Sequence, residues 1–156
     1  MNIITQNFPE KLITPDQIQN IFDTVVSVII KKEPAFQSWC ESTNMTLVLL
    51  FVEGEEMKEI NNQSRGKNEE TDVLSFPYFI DFTQSIPKEE ALFGELFFLE
   101  SRLKEQAEYM KHSLEKEFTV LLIHGILHVF GYDHIDDDEY DEMKALEEKI
   151  SSCLLS

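Results

Sequence analysis

Three of the four histidines in this 156-residue chain lie within eleven consecutive residues, at positions 124, 128 and 134. A spacing of four residues places His124 and His128 one turn apart on the same face of an α-helix. Gly131 can adopt the positive φ that ends a helix, and the turn then brings His134 back towards the other two imidazoles. Because imidazole nitrogen is a good zinc ligand, the spacing predicts a site for one metal ion.

The composition of this ligand set indicates what the ion would do. Three imidazoles leave the fourth position of tetrahedral zinc open, which is typical of catalytic rather than structural zinc. The alternative is a structural zinc site that Asp133 or Asp136 completes as fourth ligand. Asp133 has two other interpretations, orienting a ligand imidazole or capping the turn. We predict one Zn²⁺ ion, although nickel, copper and iron also accept imidazole. The ligand set alone therefore does not determine the metal.

One position separates this pattern from the long zinc-protease motif H-E-x-x-H-x-x-G-x-x-H, since Gly125 replaces the glutamate. In those peptidases the glutamate is the general base, so peptide hydrolysis by that mechanism is disfavoured. A site without this carboxylate suits phosphodiester cleavage, in which an arginine can stabilise charge on the phosphoryl oxygens. Arg65, one of only two arginines, is our candidate for that role and lies in a polar segment predicted to be a loop.

The histidines need a helix to position them, and a helix is predicted from about Ser113 to Phe130, with the histidines on its last turns. We predict one α/β (α+β) domain over residues 1–156, in which helices pack on a small mixed sheet and the histidine motif ends a buried helix. The first predicted helix runs from Pro15 to before Pro34, with a capping box of Thr14 and Gln17 at its start. The other predicted elements are a buried strand Met45–Glu53, a helix Glu55–Asn61, a strand Val73–Pro77 that Pro77 ends or confines to a sheet edge, a strand Gly94–Leu99 and a helix Arg102–Met110. The last is an amphipathic helix Asp136–Ile150 with Tyr140, Met143, Leu146 and Ile150 on its apolar stripe.

The net charge indicates which partners the protein can bind, and the cysteines and the N-terminus indicate its compartment. The formal net charge of −17, from 30 acidic and 13 basic residues, disfavours an extended basic nucleic-acid surface but allows a local basic patch. The two cysteines form no C-x-x-C pattern, which favours reduced thiols. The N-terminus lacks signal-peptide features, and no apolar run approaches the ~20 residues that cross a bilayer. We therefore expect a cytoplasmic protein without a membrane partner.

Three segments together resemble one known family. They are HGILHVFGYDH at residues 124–134, NQSRGKNEETDVLSFP at residues 62–77 and FGEL at residues 93–96. They are similar to the YbeY family of bacterial rRNA maturation factors, which are single-strand-specific endoribonucleases. The resemblance extends from about Phe51 to Ile150 in the same order of elements. The family usually has Asp where this chain has Glu95 and Leu where it has Phe130.

The resemblance implies a fold similar to that of zinc metalloproteases, with zinc on His124, His128 and His134. It also implies that Arg65 is the family's loop arginine needed for activity. The implied function is processing of ribosomal RNA, notably the 3′ end of small-subunit rRNA, and ribosome quality control. The expected partners are single-stranded RNA, rRNA and ribosomal or small-subunit proteins, and no DNA is expected.

Two other functions are kept as alternatives. One is a non-catalytic ribosome-assembly factor whose zinc is structural. The other is a metal-dependent hydrolase of a different bond, such as a peptide or amide, which would need a carboxylate from elsewhere. Glu95 and Glu69 are the candidates for that carboxylate.

Overall fold

Four strands and six helices make up the computed structural model, which describes residues 1–155. The strands are β1 (Asn2–Gln6), β2 (Met45–Phe51), β3 (Val73–Pro77) and β4 (Ala91–Phe98). The helices are α1 (Pro15–Lys32), α2 (Phe36–Glu41), α3 (Gly54–Arg65), α4 (Glu100–Met110), α5 (Leu114–Val129) and α6 (Asp137–Leu155). The prediction of one domain over residues 1–156 stays a prediction, and Ser156 lies outside the described residues.

The strands form one mixed sheet in the order β1-β2-β4-β3. The β1–β2 and β2–β4 pairs are parallel, whereas β3 runs antiparallel to β4 at the sheet edge. Residues alternate between buried and half-buried along β2, as the pleat of a central strand requires. The predicted small mixed sheet packed by helices is confirmed, and so is the edge position of the strand that ends at Pro77.

Local capping defines the start of α1 as the sequence predicts. The Thr14 hydroxyl accepts a hydrogen bond from the Gln17 backbone N–H at 3.2 Å, and the Gln17 side chain accepts one from the Thr14 N–H at 2.8 Å. This reciprocal capping box satisfies two amide donors that the first turn leaves without helical partners. The helix then buries one face against α5 and α6.

Helix α5 is the element that carries the histidines, and it is buried along most of its length. The Ser113 hydroxyl caps its start by accepting from the Lys116 N–H at 3.1 Å. Glycine lets the helix approach the sheet closely, because a Cβ at Gly94 in β4 would lie 2.6 Å from Cγ1 of Val129. The last turns of α5 are thus held directly against β4.

Gly94→Ala is expected to lower the free energy of unfolding by about 1–3 kcal/mol, because the added methyl overpacks this contact. The measurement is urea denaturation of the parent and the variant. Val129→Ala provides a matched background, since it removes both methyl groups that the new Cβ would meet. In the Val129→Ala background, Gly94→Ala should lower the free energy of unfolding by less than it does in the parent. An equal cost in both backgrounds would contradict the packing explanation.

Several predicted elements differ from the structure. Strand β1 and helix α2 were not predicted, and α6 continues to Leu155 rather than ending at Ile150. Tyr140 is 50% exposed instead of lying on the buried stripe, although Met143, Leu146 and Ile150 are buried as expected. No helix within residues 1–155 is long and apolar enough to cross a membrane.

The loop prediction for Arg65 is wrong, because Arg65 is the last residue of α3. The helix continues through the polar residues 62–65, which are exposed. It ends at Gly66, whose N–H donates to the carbonyl of Asn62 at 2.9 Å and whose φ of 69° is left-handed. The left-handed φ turns the chain so that the N–H of Lys67 reaches the carbonyl of Asn61 at 3.5 Å. The polar, turn-rich composition of this segment predicts a loop, whereas Gly66 is the residue that ends the helix.

Candidate metal centre

The end of α5 follows the predicted helix-and-turn geometry. Gly131 has a φ of 95°, and its N–H donates to the carbonyl of His128 at 3.0 Å. The N–H of Tyr132 donates to the carbonyl of Leu127, also at 3.0 Å. These two bonds satisfy carbonyl groups of the last helical turn and reverse the chain, so that His134 returns to the helix.

The structure brings the three predicted ligands together. One ligand nitrogen from each of His124, His128 and His134 lies within 4.8 Å of the others, and the Nε2 atoms of His124 and His128 are 3.0 Å apart. A Zn–N bond of about 2.1 Å corresponds to N···N distances of about 3.4 Å in a tetrahedral shell. His134 is exposed, so its ring can move. The set fits one ion after small side-chain adjustments.

The other ring nitrogens of the two helical histidines are engaged away from this centre. Nδ1 of His128 donates to the carbonyl of Tyr132 at 2.9 Å. Nδ1 of His124 lies 2.6 Å from Oε1 of Glu147, which comes from α6. A proton held on Nδ1 leaves the lone pair of Nε2 for a ligand, so both rings present the same nitrogen to the shared space.

Electrostatics favours the neutral form of His128. Its pKa is lowered from 6.5 to about 4, mainly by burial and then by the neighbouring His124 and His134, while Asp133 and the Tyr132 carbonyl oppose the shift. Burial disfavours the protonated imidazole because the charge loses hydration. His128 is therefore neutral near pH 7, which is the state that binds a metal.

The aspartates considered as a fourth ligand have other partners. Asp133 Oδ1 accepts from the His134 N–H at 2.8 Å, and it is 3.9 Å from Nδ1 of His128. Asp133 therefore caps the turn. Asp136 Oδ1 accepts from the Glu139 N–H at 2.8 Å at the start of α6. Within residues 1–155, the converging metal-binding group consists of the three histidines alone, so neither aspartate completes a closed zinc shell.

Arg65 shares a cavity with two of the histidines in spite of its distance in sequence. It lines a cavity of about 410 Å³ with His128, His134 and the turn, and Ser75 and Pro77 of β3 also line this cavity. No ion pair engages Arg65 among the described residues, so its guanidinium is available to an anionic ligand. The cavity therefore combines two of the three candidate metal ligands with a cation.

Gly125, which stands where the proteases have their glutamate, faces the sheet. A Cβ on Gly125 would lie 2.9 Å from Cδ1 of Leu96, so a side chain at this position would point into the sheet. Glu95 instead accepts a hydrogen bond from the Tyr78 hydroxyl, which raises the pKa of Tyr78 to about 12. Neither Glu95 nor Glu69 lines the cavity. The carboxylate that a peptidase mechanism requires is not supplied by these residues.

The fold and the site define a small α/β protein with a three-histidine centre at the end of a buried helix. The family model described as Endoribonuclease YbeY matches residues 4–154. The chain belongs to this family, which confirms the resemblance found in the sequence.

Two relatives show how the similarity is distributed. The Endoribonuclease YbeY of Clostridium beijerinckii is 34% identical over 167 aligned positions, covering 97% of this chain and 96% of the relative. The Endoribonuclease YbeY of the onion yellows phytoplasma is 43% identical over 102 positions, covering 65% of this chain and 68% of the relative. The similarity therefore includes nearly the whole length of a relative as well as a shorter, more similar stretch.

A solved structure supports the fold assignment. The solution structure of TM1509 from Thermotoga maritima is 25% identical, with a TM-score of 0.52, and the match covers 95% of this chain and 88% of that chain. The agreement therefore concerns the whole arrangement of sheet and helices rather than the histidine segment alone.

Proposed function

We propose that this chain is a metal-dependent endoribonuclease of the cytoplasm that cleaves single-stranded RNA. The proposed ion is Zn²⁺, held by His124, His128 and His134. The proposed substrate is ribosomal RNA, notably the 3′ end of small-subunit rRNA, and the proposed wider role is ribosome quality control with ribosomal or small-subunit proteins as partners. The observation that carries the proposal is that Arg65 lines one cavity with His128 and His134, two of the three histidines of the centre.

The residues have distinct roles in this proposal. When bound, the ion would supply Lewis-acid chemistry and lower the pKa of water to about 7. His124 and His128 would bind the ion through Nε2, because their Nδ1 atoms have other partners. Arg65 would bind the scissile phosphate and stabilise charge on its equatorial oxygens.

The charge distribution suggests how RNA is held. The net charge of −17 opposes long-range attraction of a polyanion. Lys32, at the end of α1, is paired with Glu142. The RNA would therefore depend on local contacts in the cavity, where Arg65 is the cation, and on access of an unpaired strand to the histidines.

The zinc-loaded protein is expected to cut a single-stranded oligoribonucleotide internally and to leave the corresponding RNA duplex and single-stranded DNA intact. End-labelled oligonucleotides separated on a denaturing gel would show fragments from internal cuts. The ladder of stepwise shortened products that an exonuclease gives would be absent. Treatment with a chelator should stop cleavage, and added Zn²⁺ should restore it. Purified protein that retains the metal and shows no cleavage would instead support the non-catalytic assembly factor.

A further inference from the structure

Glu147 reaches a proposed metal ligand from a different helix. Its Oε1 lies 2.6 Å from Nδ1 of His124, although the two residues are 23 positions apart in sequence. Both side chains are about 30% exposed, at 29% for His124 and 30% for Glu147. The contact thus lies at the rim of the centre, where water reaches it only in part.

The carboxylate contacts the side of the His124 ring that faces away from the shared space. The opposite nitrogen, Nε2, is the one that lies 3.0 Å from Nε2 of His128. A carboxylate that accepts the Nδ1 proton fixes the tautomer whose Nε2 carries a lone pair, and it makes that nitrogen a stronger donor to a metal.

We propose that Glu147 is a positioning residue of the metal site, whose carboxylate holds His124 in the tautomer and orientation that present Nε2 to the ion. The inference rests on the metal-binding part of the proposed function. The carbonyl of Tyr132 fixes the tautomer of His128 in the same way. Because this carbonyl belongs to the backbone, no side-chain substitution removes it. Of these two Nδ1 partners, Glu147 is therefore the one that a mutation can remove.

The buried face of α6 determines the position of the Glu147 carboxylate. Met143, Leu146 and Ile150, which surround Glu147 in sequence, are 2%, 7% and 0% exposed. The helix backbone is thus held by the core while the carboxylate lies near the surface. A substitution at position 147 removes the hydrogen bond without opening a cavity, so its effect on metal binding can be separated from an effect on folding.

The test is the zinc affinity of the full chain, measured by competition with a chromophoric chelator. Glu147→Leu is expected to weaken zinc binding by about 10- to 100-fold, the usual effect of losing such a partner of a metal-bound histidine. Glu147→Gln keeps an acceptor oxygen and should show a smaller loss. Glu148→Gln removes the same charge from the exposed neighbouring residue and should bind zinc as the parent does.

A parent chain that binds no zinc would overturn the proposed function itself, whereas equal zinc affinity of the parent and Glu147→Leu would overturn this inference alone. An equal loss in Glu148→Gln would assign the effect to net charge and also overturn it. Nitrogen NMR of the histidine rings in the zinc-loaded parent gives a test without substitution. The inference requires a protonated Nδ1 and a coordinated Nε2 on His124, and coordination through Nδ1 would refute it.

Discussion

His124→Ala is expected to lower bound zinc from about one equivalent to a small fraction and to reduce RNA cleavage by more than about 1,000-fold. The physical reason is that the ring supplies one of three converging nitrogens, and Nε2 of His124 lies 3.0 Å from Nε2 of His128. Elemental analysis of the purified protein and single-turnover cleavage of a labelled oligoribonucleotide measure the two effects separately.

The fourth histidine offers a control for this experiment. His112 lies outside the centre and pairs with the buried Glu117 at 2.6 Å. His112→Gln retains a hydrogen-bond donor to that carboxylate and should keep the parental zinc content, even where the free energy of unfolding changes. A metal-free His124→Ala protein that cleaves RNA at the parental rate would contradict the assignment of the metal to catalysis.

Arg65→Ala is expected to reduce the rate constant for cleavage by about 100- to 1,000-fold while the zinc content stays unchanged. The guanidinium lines the cavity with His128 and His134 but is not one of the converging metal ligands. Its loss should therefore remove charge stabilisation in the transition state and leave the metal centre intact. Arg65→Lys should recover part of the rate, because an ammonium supplies the charge without the two-pronged geometry of arginine.

Arg102 is the matched control for Arg65. It lies within 3.5 Å of Glu105 in α4 and lines a different cavity, with Thr71 and Asp72. Arg102→Ala makes the same change in net charge and should leave the cleavage rate constant unchanged. Equal losses in the two variants would indicate a general effect of charge on RNA binding, and a parental rate in Arg65→Ala would remove Arg65 from the proposed mechanism.

The parts of the fold that sequence predicts are those determined by local chemistry. The capping box at Thr14 and the turn at Gly131 depend on residues only a few positions apart, and both are found as expected. The three histidines meet for the same reason. In contrast, β1 is largely exposed and lacks an alternating apolar pattern, and α2 is short with no side-chain cap, so neither has a clear local signal.

The long-range parts of the site could not be derived from local patterns. The family resemblance supports Arg65 as a candidate, and only the tertiary structure brings it to the cavity that His128 and His134 line. Glu147 was missed because its position depends on how α6 is rotated against α5. The orientation of Gly125 also depends on tertiary structure, since the sequence shows the missing glutamate but not that Leu96 occupies the space.

The compactness of the histidine motif in sequence has a consequence for thermal stability. All three proposed ligands lie between residues 124 and 134, so the unfolded chain keeps them close together and retains part of their chelating capacity. Ligand stabilises a fold only to the extent that it prefers the native state over the denatured ensemble. Zinc should therefore raise the melting temperature by less than its affinity for the native protein alone would indicate.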